Sequence, residues 1–141
     1  EQSPLGTDTL INGQPIIELL LTPTRIYSKS ILHLLESIEV KGLAHITGGG
    51  LTENIPRVLP MGLGAQLKRS AWPTLPVFQW IEDMGVETKE MLRTFNCGIG
   101  MVVIVKPEIT ENAVSILNSC GEEAWIVGEI VEDKNNQAKV I

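Results

Sequence analysis

The stretch Ala44-His45-Ile46-Thr47-Gly48-Gly49-Gly50-Leu51-Thr52-Glu53-Asn54-Ile55-Pro56-Arg57 decides how the rest of the chain is read. A short apolar strand runs through three consecutive glycines into a helix. Glycine has no Cβ, so this backbone can take φ > 0 and come close to a ligand. The turn amides and the first N–H groups of the helix lack intrahelical acceptors, and an anion can satisfy them. Thr52 is placed to cap the helix, and Glu53 suits its first turn. The pattern is neither the spaced GxGxxG of dinucleotide folds nor a P-loop, since no Gly-Lys-Ser/Thr ending follows. Spacing alone therefore suits either a phosphate cradle or a bare strand-to-helix turn. His45 shares a strand face with Leu43 and Thr47, opposite Ala44 and Ile46, and looks into the space beside the glycines. An imidazole that titrates near neutral pH is a candidate acid–base group there; the competing role is that of an ordinary structural histidine.

The chain has 141 residues, one domain's worth and enough for a substantial core. Its 43% hydrophobic and 20% charged content is that of a globular protein. A net charge of −6 argues against nucleic acid as a partner, so an anionic ligand must be held by local donors. The two cysteines, Cys97 and Cys120, form no CxxC and have no histidine at metal-ligand spacing. Reduced thiols are the simpler reading than a disulfide scaffold or zinc site. No run approaches the ~20 apolar residues of a membrane span, and no basic-then-apolar leader opens the chain. The expectation is a cytoplasmic protein with no membrane partner. Residues 1–14 mix Pro, Gly, Thr and Asn without periodicity and do not begin with methionine. Residues 1–24 are therefore expected to be an arm left from a truncated first part, ahead of a domain over residues 25–141.

In order, residues 15–21 read as a helix or extended arm, and Thr24 is placed to cap a helix over residues 25–39 with an apolar stripe at Ile26, Ile31, Leu34, Leu35 and Ile38. Arg25 would then sit at a helix N-terminus, where the dipole disfavours a cation and something negative should compensate it. Residues 43–47 form a strand and 51–59 a helix, with Leu51, Ile55, Val58 and Leu59 inward and Asn54 and Arg57 on a common face. Ala65 and Leu67 alternate with Gln66 and Lys68 in a half-buried strand. Helices follow over residues 76–84 and 88–95, the second capped by Thr88. Residues 100–105 are β-branched and apolar, as in a strand covered on both faces. A helix over residues 108–120 closes on Gly121, and a strand over 123–131 turns through 133–136 into a last strand. Trp72 and Trp80 read as core or interface anchors and Trp125 as a core residue. Two β-α-β halves around a helical insertion predict a ferredoxin-like α/β (α+β) fold, one mixed sheet with helices mainly on one face.

Four blocks resemble one family: Leu21-Thr22-Pro23-Thr24-Arg25-Ile26-Tyr27, Ala44-His45-Ile46-Thr47-Gly48-Gly49-Gly50, Asn54-Ile55-Pro56-Arg57-Val58-Leu59-Pro60 and Arg93-Thr94-Phe95-Asn96-Cys97-Gly98-Ile99-Gly100-Met101. Together they are similar to the C-terminal domain of the aminoimidazole ribonucleotide synthetases, the phosphoribosylformylglycinamidine cyclo-ligases of purine biosynthesis. The resemblance implies a ligase that uses ATP to activate the formyl oxygen of formylglycinamidine ribonucleotide, after which a ring nitrogen closes the imidazole and phosphate leaves. ATP and Mg would lie in a cleft against an N-terminal domain that supplies most metal ligands. The family's His-Ser-Asn-Gly motif is not found here, so a first strand and helix of the domain are expected to be missing.

By the same resemblance, His45 is catalytic, and Thr47, Gly48, Gly49 and Gly50 hold a phosphate. Arg25, Arg57 and Arg93 contact phosphoryl oxygens, and Asn54 and Asn96 orient the amidine or ribose. Cys97 packs rather than attacks. A homodimer is expected of the enzyme, and self-association through an exposed sheet edge is expected of this fragment, itself inactive alone. The alternatives are a related ATP-using protein of selenophosphate synthesis or hydrogenase maturation, and a non-catalytic binding domain.

Overall fold

The computed structural model describes residues 9–141; the part of the expected arm at residues 1–8 lies outside the described residues. Asn12 and Gly13 take φ of 50° and 81° and join β1 (Leu10–Ile11) to β2 (Gln14–Pro15). Two positive-φ residues between paired strands make a type I′ hairpin, for which Asn-Gly is a preferred pair. The sequence reading passed over this hairpin, although Asn12-Gly13 is its signal. After α1 (Ile16–Leu21) comes α2 (Ser28–Ser37), shorter than the expected 25–39. Its N-cap position is Tyr27, and Thr24 caps nothing.

β3 (Gly42–His45) pairs antiparallel with β5 (Met101–Ile104), placing Ala44 opposite Val102 and His45 opposite Met101. The helix expected over residues 51–59 is divided into α3 (Gly50–Asn54) and a 3₁₀ turn, Pro56–Val58. Pro56 has no N–H to continue the ladder and instead opens its own turn. Because α3 begins at Gly50 with Gly49 as its N-cap, Thr52 is inside the helix and not its cap. The same correction applies to Thr88: Glu87 is the N-cap position of α5 (Thr88–Thr94). Val58, expected inward, is 36% exposed.

β4 (Leu63–Leu67) lies between β6 (Gly128–Glu132), antiparallel, and β7 (Ala138–Val140), parallel. The fold is mixed α/β as expected, but its strands divide into separate ladders, β3-β5 and β6-β4-β7, beside the small β1-β2 hairpin. The expectation that residues 100–105 are covered on both faces is also corrected. Val102 is buried, whereas Met101, Val103 and Ile104 are half-buried, because one side of β5 has no neighbouring strand.

One core joins both ladders through Ala44, Ile46, Leu51, Ile55, Leu67 and Trp72. Burying a Leu or Ile side chain fully contributes roughly 1.5–3 kcal/mol, and Leu51 and Ile55 are each only 1% exposed. Trp72 Nε1 donates to the Cys97 carbonyl at 3.0 Å, so the buried indole leaves no polar atom unpaired. The insertion between β4 and β5 holds α4 (Pro76–Asp83) and α5, and α1 and β1 pack against α4. α6 (Thr110–Ser119) ends as expected at Gly121, φ 83°. Glu122 N–H reaches the Leu117 carbonyl and Gly121 N–H the Asn118 carbonyl, the paired bonds of a Schellman motif. Among the described residues no helix is long and apolar enough to cross a membrane.

Candidate functional site at the glycine turn

The turn is built by one buried amide. Asn54, 5% exposed, donates from Nδ2 to the carbonyls of Gly50 (2.8 Å), Gly48 (3.3 Å) and Thr47 (3.4 Å). Three acceptors on one side fix which end of the amide is NH₂, and Oδ1 on the other side accepts from Arg57 Nη1 at 3.1 Å. Asn54 and Arg57 thus share a face as their spacing requires. With its carbonyls gathered around Asn54, the turn directs its amides elsewhere. Those of Gly48 and Gly49 donate to no protein acceptor among the described residues, while Gly50 N–H bonds the Thr47 carbonyl at 3.0 Å.

The three glycines are not equivalent. Gly49 (φ 100°) and Gly50 (φ 55°) take left-handed backbone that L side chains rarely adopt. A Cβ on Gly50 would stand 2.1 Å from the Leu92 carbonyl oxygen and 2.7 Å from that of Phe95. Gly48 has nothing within 4 Å of such a Cβ and is exposed. The turn is therefore sealed against α5 at one end and open at the other. Glu53 folds back so that Oε2 lies 2.8 Å from a Cβ position on Gly49, the placement of a carboxylate drawn to a helix N-terminus.

His45 and Thr47 are exposed on the strand face opposite buried Ala44 and Ile46. The Tyr27 ring stands edge-on to the imidazole with centroids 6.2 Å apart. Burial pushes the Tyr27 hydroxyl pKa up, and Glu122 adds to that. Tyr27 belongs to a quoted block but escaped notice as a site residue; the aromatic neighbour of His45 comes from a pairing across the fold that local spacing does not display.

The arginines are already engaged. Arg25 precedes α2, and its negative partner is Glu122, with Nη1 to Oε2 at 2.7 Å and a further bond to the Gly121 carbonyl. Ser30 Oγ donates to the other Glu122 oxygen at 2.8 Å. Arg25 is thus held at the end of α6 instead of beside the glycines. Arg57 lies by the turn, with Nη2 3.8 Å from Glu53 Oε2. Arg93, on α5, makes a two-pronged contact with Glu90 at 2.9 and 2.7 Å. Those bonds hold the exposed Glu90 carboxyl down to about 2 and raise the arginine. Asn96 uses Oδ1 to accept from Gly98 N–H at 3.0 Å and shapes the loop before β5. Cys97 is buried with its thiol 3.5 Å from the Met91 carbonyl, and burial pushes its pKa up, away from thiolate chemistry. Among the described residues no three His, Cys, Asp or Glu side chains gather as a metal site.

Comparison with known proteins gives a consistent answer. The phosphoribosylformylglycinamidine cyclo-ligase of Cupriavidus pinatubonensis is 51% identical over 135 residues, covering 95% of this chain and 39% of that protein. The enzyme of the same name from Nitrosococcus oceani is 49% identical over 141 residues, covering 99% and 39%. The chain spans about two-fifths of the length of these relatives. Among solved structures, E. coli HypE superposes with a TM-score of 0.63 at 25% identity, covering 89% of this chain and 40% of HypE. A HypE–HypF complex gives 0.62 at 26% identity, with 89% and 43% covered. The family model described as AIR synthase related protein, C-terminal domain, matches residues 2–141, and the chain belongs to that family.

Proposed function

We propose that this chain is the C-terminal part of a phosphoribosylformylglycinamidine cyclo-ligase and forms one wall of the cleft in which ATP drives closure of formylglycinamidine ribonucleotide. The observation that carries this reading is the identity of about half to enzymes of that name along nearly the whole chain. In the reaction, the formyl oxygen is activated by phosphoryl transfer from ATP, the amidine nitrogen attacks the activated carbon, and phosphate departs as the imidazole closes. His45 is solvent-facing beside the turn and suits proton transfer at the reacting oxygen or nitrogen, an effect typically worth about 10²–10⁴-fold. Gly48 and Gly49 amides with Thr47 suit a phosphate of the nucleotide or of ATP. Arg57 and Arg93 can turn from their acidic partners toward phosphoryl oxygens at little cost, since exposed ion pairs are weak. Asn54 serves by fixing the turn, Asn96 shapes the loop before β5, and Arg25 ties the start of α2 to the end of α6. Magnesium would screen the phosphates, and the described residues present no group of three His, Cys, Asp or Glu side chains to hold it.

A hydrogenase-maturation reading is supported by the HypE fold at 25–26% identity. The homodimer and the cytoplasmic location belong to the cyclo-ligase reading, and monomeric sedimentation of the full-length Nitrosococcus oceani enzyme at all concentrations would remove the first. His45→Ala in that enzyme should lower turnover by about 10²–10⁴-fold with an unchanged unfolding temperature, and the 141-residue chain alone should show no cyclisation. Unchanged kinetics in the variant would take His45 out of the chemistry.

A further inference from the structure

Gly100, just ahead of β5, is a glycine that its own backbone does not demand. It lies outside the left-handed region, unlike Gly98 (φ 98°) two residues earlier, so an alanine there would meet no backbone strain. What it would meet is Tyr27. A Cβ on Gly100 would stand 2.9 Å from Tyr27 Cζ and closer still to the hydroxyl oxygen. The absent Cβ therefore makes the seat for the tip of the tyrosine ring. The backbone of Tyr27 is fixed as well. Its carbonyl accepts from Ile31 N–H at 2.9 Å, and buried Ser30 Oγ shares its proton between that carbonyl (3.0 Å) and Glu122 Oε1 (2.8 Å). Arg25 takes the other Glu122 oxygen, so residues on either side of Tyr27 are tied to the chain just after α6. Between these anchors the ring stands edge-on to His45, with 6.2 Å between centroids and 68° between planes. Tyr27 is half-buried and His45 exposed. An exposed imidazole moves among its rotamers unless a neighbour blocks some of them. A seated aromatic ring both blocks and attracts, since edge-to-face contact is favourable.

We propose that Tyr27 is a positioning residue for His45: seated on Gly100 by its tip and on the Arg25–Glu122–Ser30 cluster by its backbone, its ring holds the imidazole in the orientation from which a proton is transferred. The inference rests on the acid–base role given to His45 above and deepens it. The working part is the ring, because the ring meets the imidazole while the hydroxyl lies over Gly100. Geometry of this kind carries rate: a displacement of about 1 Å in a catalytic group can cost about 10²-fold. It also gives Gly100 a purpose that neither turn geometry nor strand pairing supplies.

Variants in the full-length enzyme that carries this chain separate the ring, the hydroxyl and the seat. Tyr27→Leu removes the ring and should lower kcat by about 10–10²-fold, with KM for ATP and for the nucleotide substrate unchanged because no uniform binding contact is lost. Tyr27→Phe keeps the ring and should keep most of the turnover. Gly100→Ala pushes the ring off its seat and should fall as Tyr27→Leu does. Adding Tyr27→Phe to Gly100→Ala removes the atom that collides first and should restore most of what was lost, a non-additive pair. The proton–carbon NMR signals of the histidine rings read the same series without chemistry, His45 being identified by its loss in His45→Ala. Tyr27→Leu and Gly100→Ala should shift those signals, and Tyr27→Phe should leave them near the wild-type position. The inference is overturned if the His45 signals stay in place in Tyr27→Leu, or if Tyr27→Phe loses as much turnover as Tyr27→Leu, which would make the hydroxyl the working group. It is equally overturned if Tyr27→Phe does not relieve Gly100→Ala. Should His45→Ala leave turnover unchanged, the proton-transfer role falls, while the NMR series still supports or overturns the seating of the imidazole by Tyr27.

Discussion

Replacing Asn54 probes whether a single amide holds the glycine turn in shape. Asn54→Ala removes one good hydrogen bond, to the Gly50 carbonyl at 2.8 Å, two long ones at 3.3 and 3.4 Å, and the bond from Arg57 Nη1 at 3.1 Å, whose exposed donor can turn to water. The carbonyls are not all orphaned, since Thr47 still accepts from Gly50 N–H and Gly48 is exposed to water. A net bond is worth about 1 kcal/mol and each unsatisfied partner adds to that, so the expected loss is about 1–2 kcal/mol. For a domain of this size that is a fall of about 3–6 °C in Tm. Asn54→Asp discriminates further, because it points a carboxylate at three carbonyl oxygens in a nearly buried position. Arg57 offsets only part of that cost, and breaking a buried charge arrangement costs about 3–5 kcal/mol. To avoid the charge, the introduced carboxyl should keep its proton in the folded state, with a pKa above the unfolded value. Its penalty is then smallest at acid pH and grows as pH rises through the unfolded pKa toward the folded one. Urea unfolding between pH 4 and 8, read as the midpoint at constant m, measures both variants. If Asn54→Ala lies within about 0.5 kcal/mol of wild type, or Asn54→Asp matches Asn54→Ala at neutral pH, the amide does not hold the turn.

Gly50→Ala should cost about 3 kcal/mol or more or prevent folding, while Gly48→Ala stays within about 0.5 kcal/mol, both by denaturant unfolding; equal costs would show that the turn is packed differently. Glu53→Gln removes a carboxylate beside Gly49 and should tighten binding of inorganic phosphate, measured by calorimetry; weaker binding would count against the anion role of the turn. Glu90 is held down to about 2 against an ordinary 4.5. Its contact with Arg93 therefore stabilises the fold above about pH 4.5 and is lost as pH falls toward 2. The difference between wild type and Glu90→Gln should vanish at the acid end, and a difference constant with pH would refute the pairing. Trp72→Phe keeps the ring but orphans the buried Cys97 carbonyl, and should lose about 1–3 kcal/mol in thermal unfolding.

Most helices and strands were legible because periodicity and punctuation agreed. Ala65 and Leu67 alternate with polar neighbours and are 2% and 3% exposed, and Gly121 ends α6 where a left-handed residue was needed. What failed was capping by Thr24, Thr52 and Thr88. Each lies within a few residues of a helix start, and a shift of one to three positions converts a cap into an ordinary helical or loop residue. The division of the sheet was hidden for a different reason: parity along β5 is local, but which edge finds a partner is decided by segments far away. The compensation of Arg25 was foreseen, yet its partner Glu122 is 97 residues distant, beyond any windowed reading. At the glycine turn the sequence revealed the backbone requirement and the His45 face. It did not reveal that Asn54 faces inward to the turn, because an amide that orients a ligand and one that braces a loop look the same in one letter.

The two carbonyls that crowd Gly50 belong to residues 92 and 95, at the end of the helical insertion. A lineage that exchanged this glycine for any larger residue would first have to re-route the last turn of α5, and one that lengthened the insertion would have to keep those two oxygens where they are. Stretches some forty positions apart are thereby obliged to change in step, so a chimera that grafts the 76–95 segment of a distant homologue onto this chain should tolerate exchanges on its outer face and fail at its final turn.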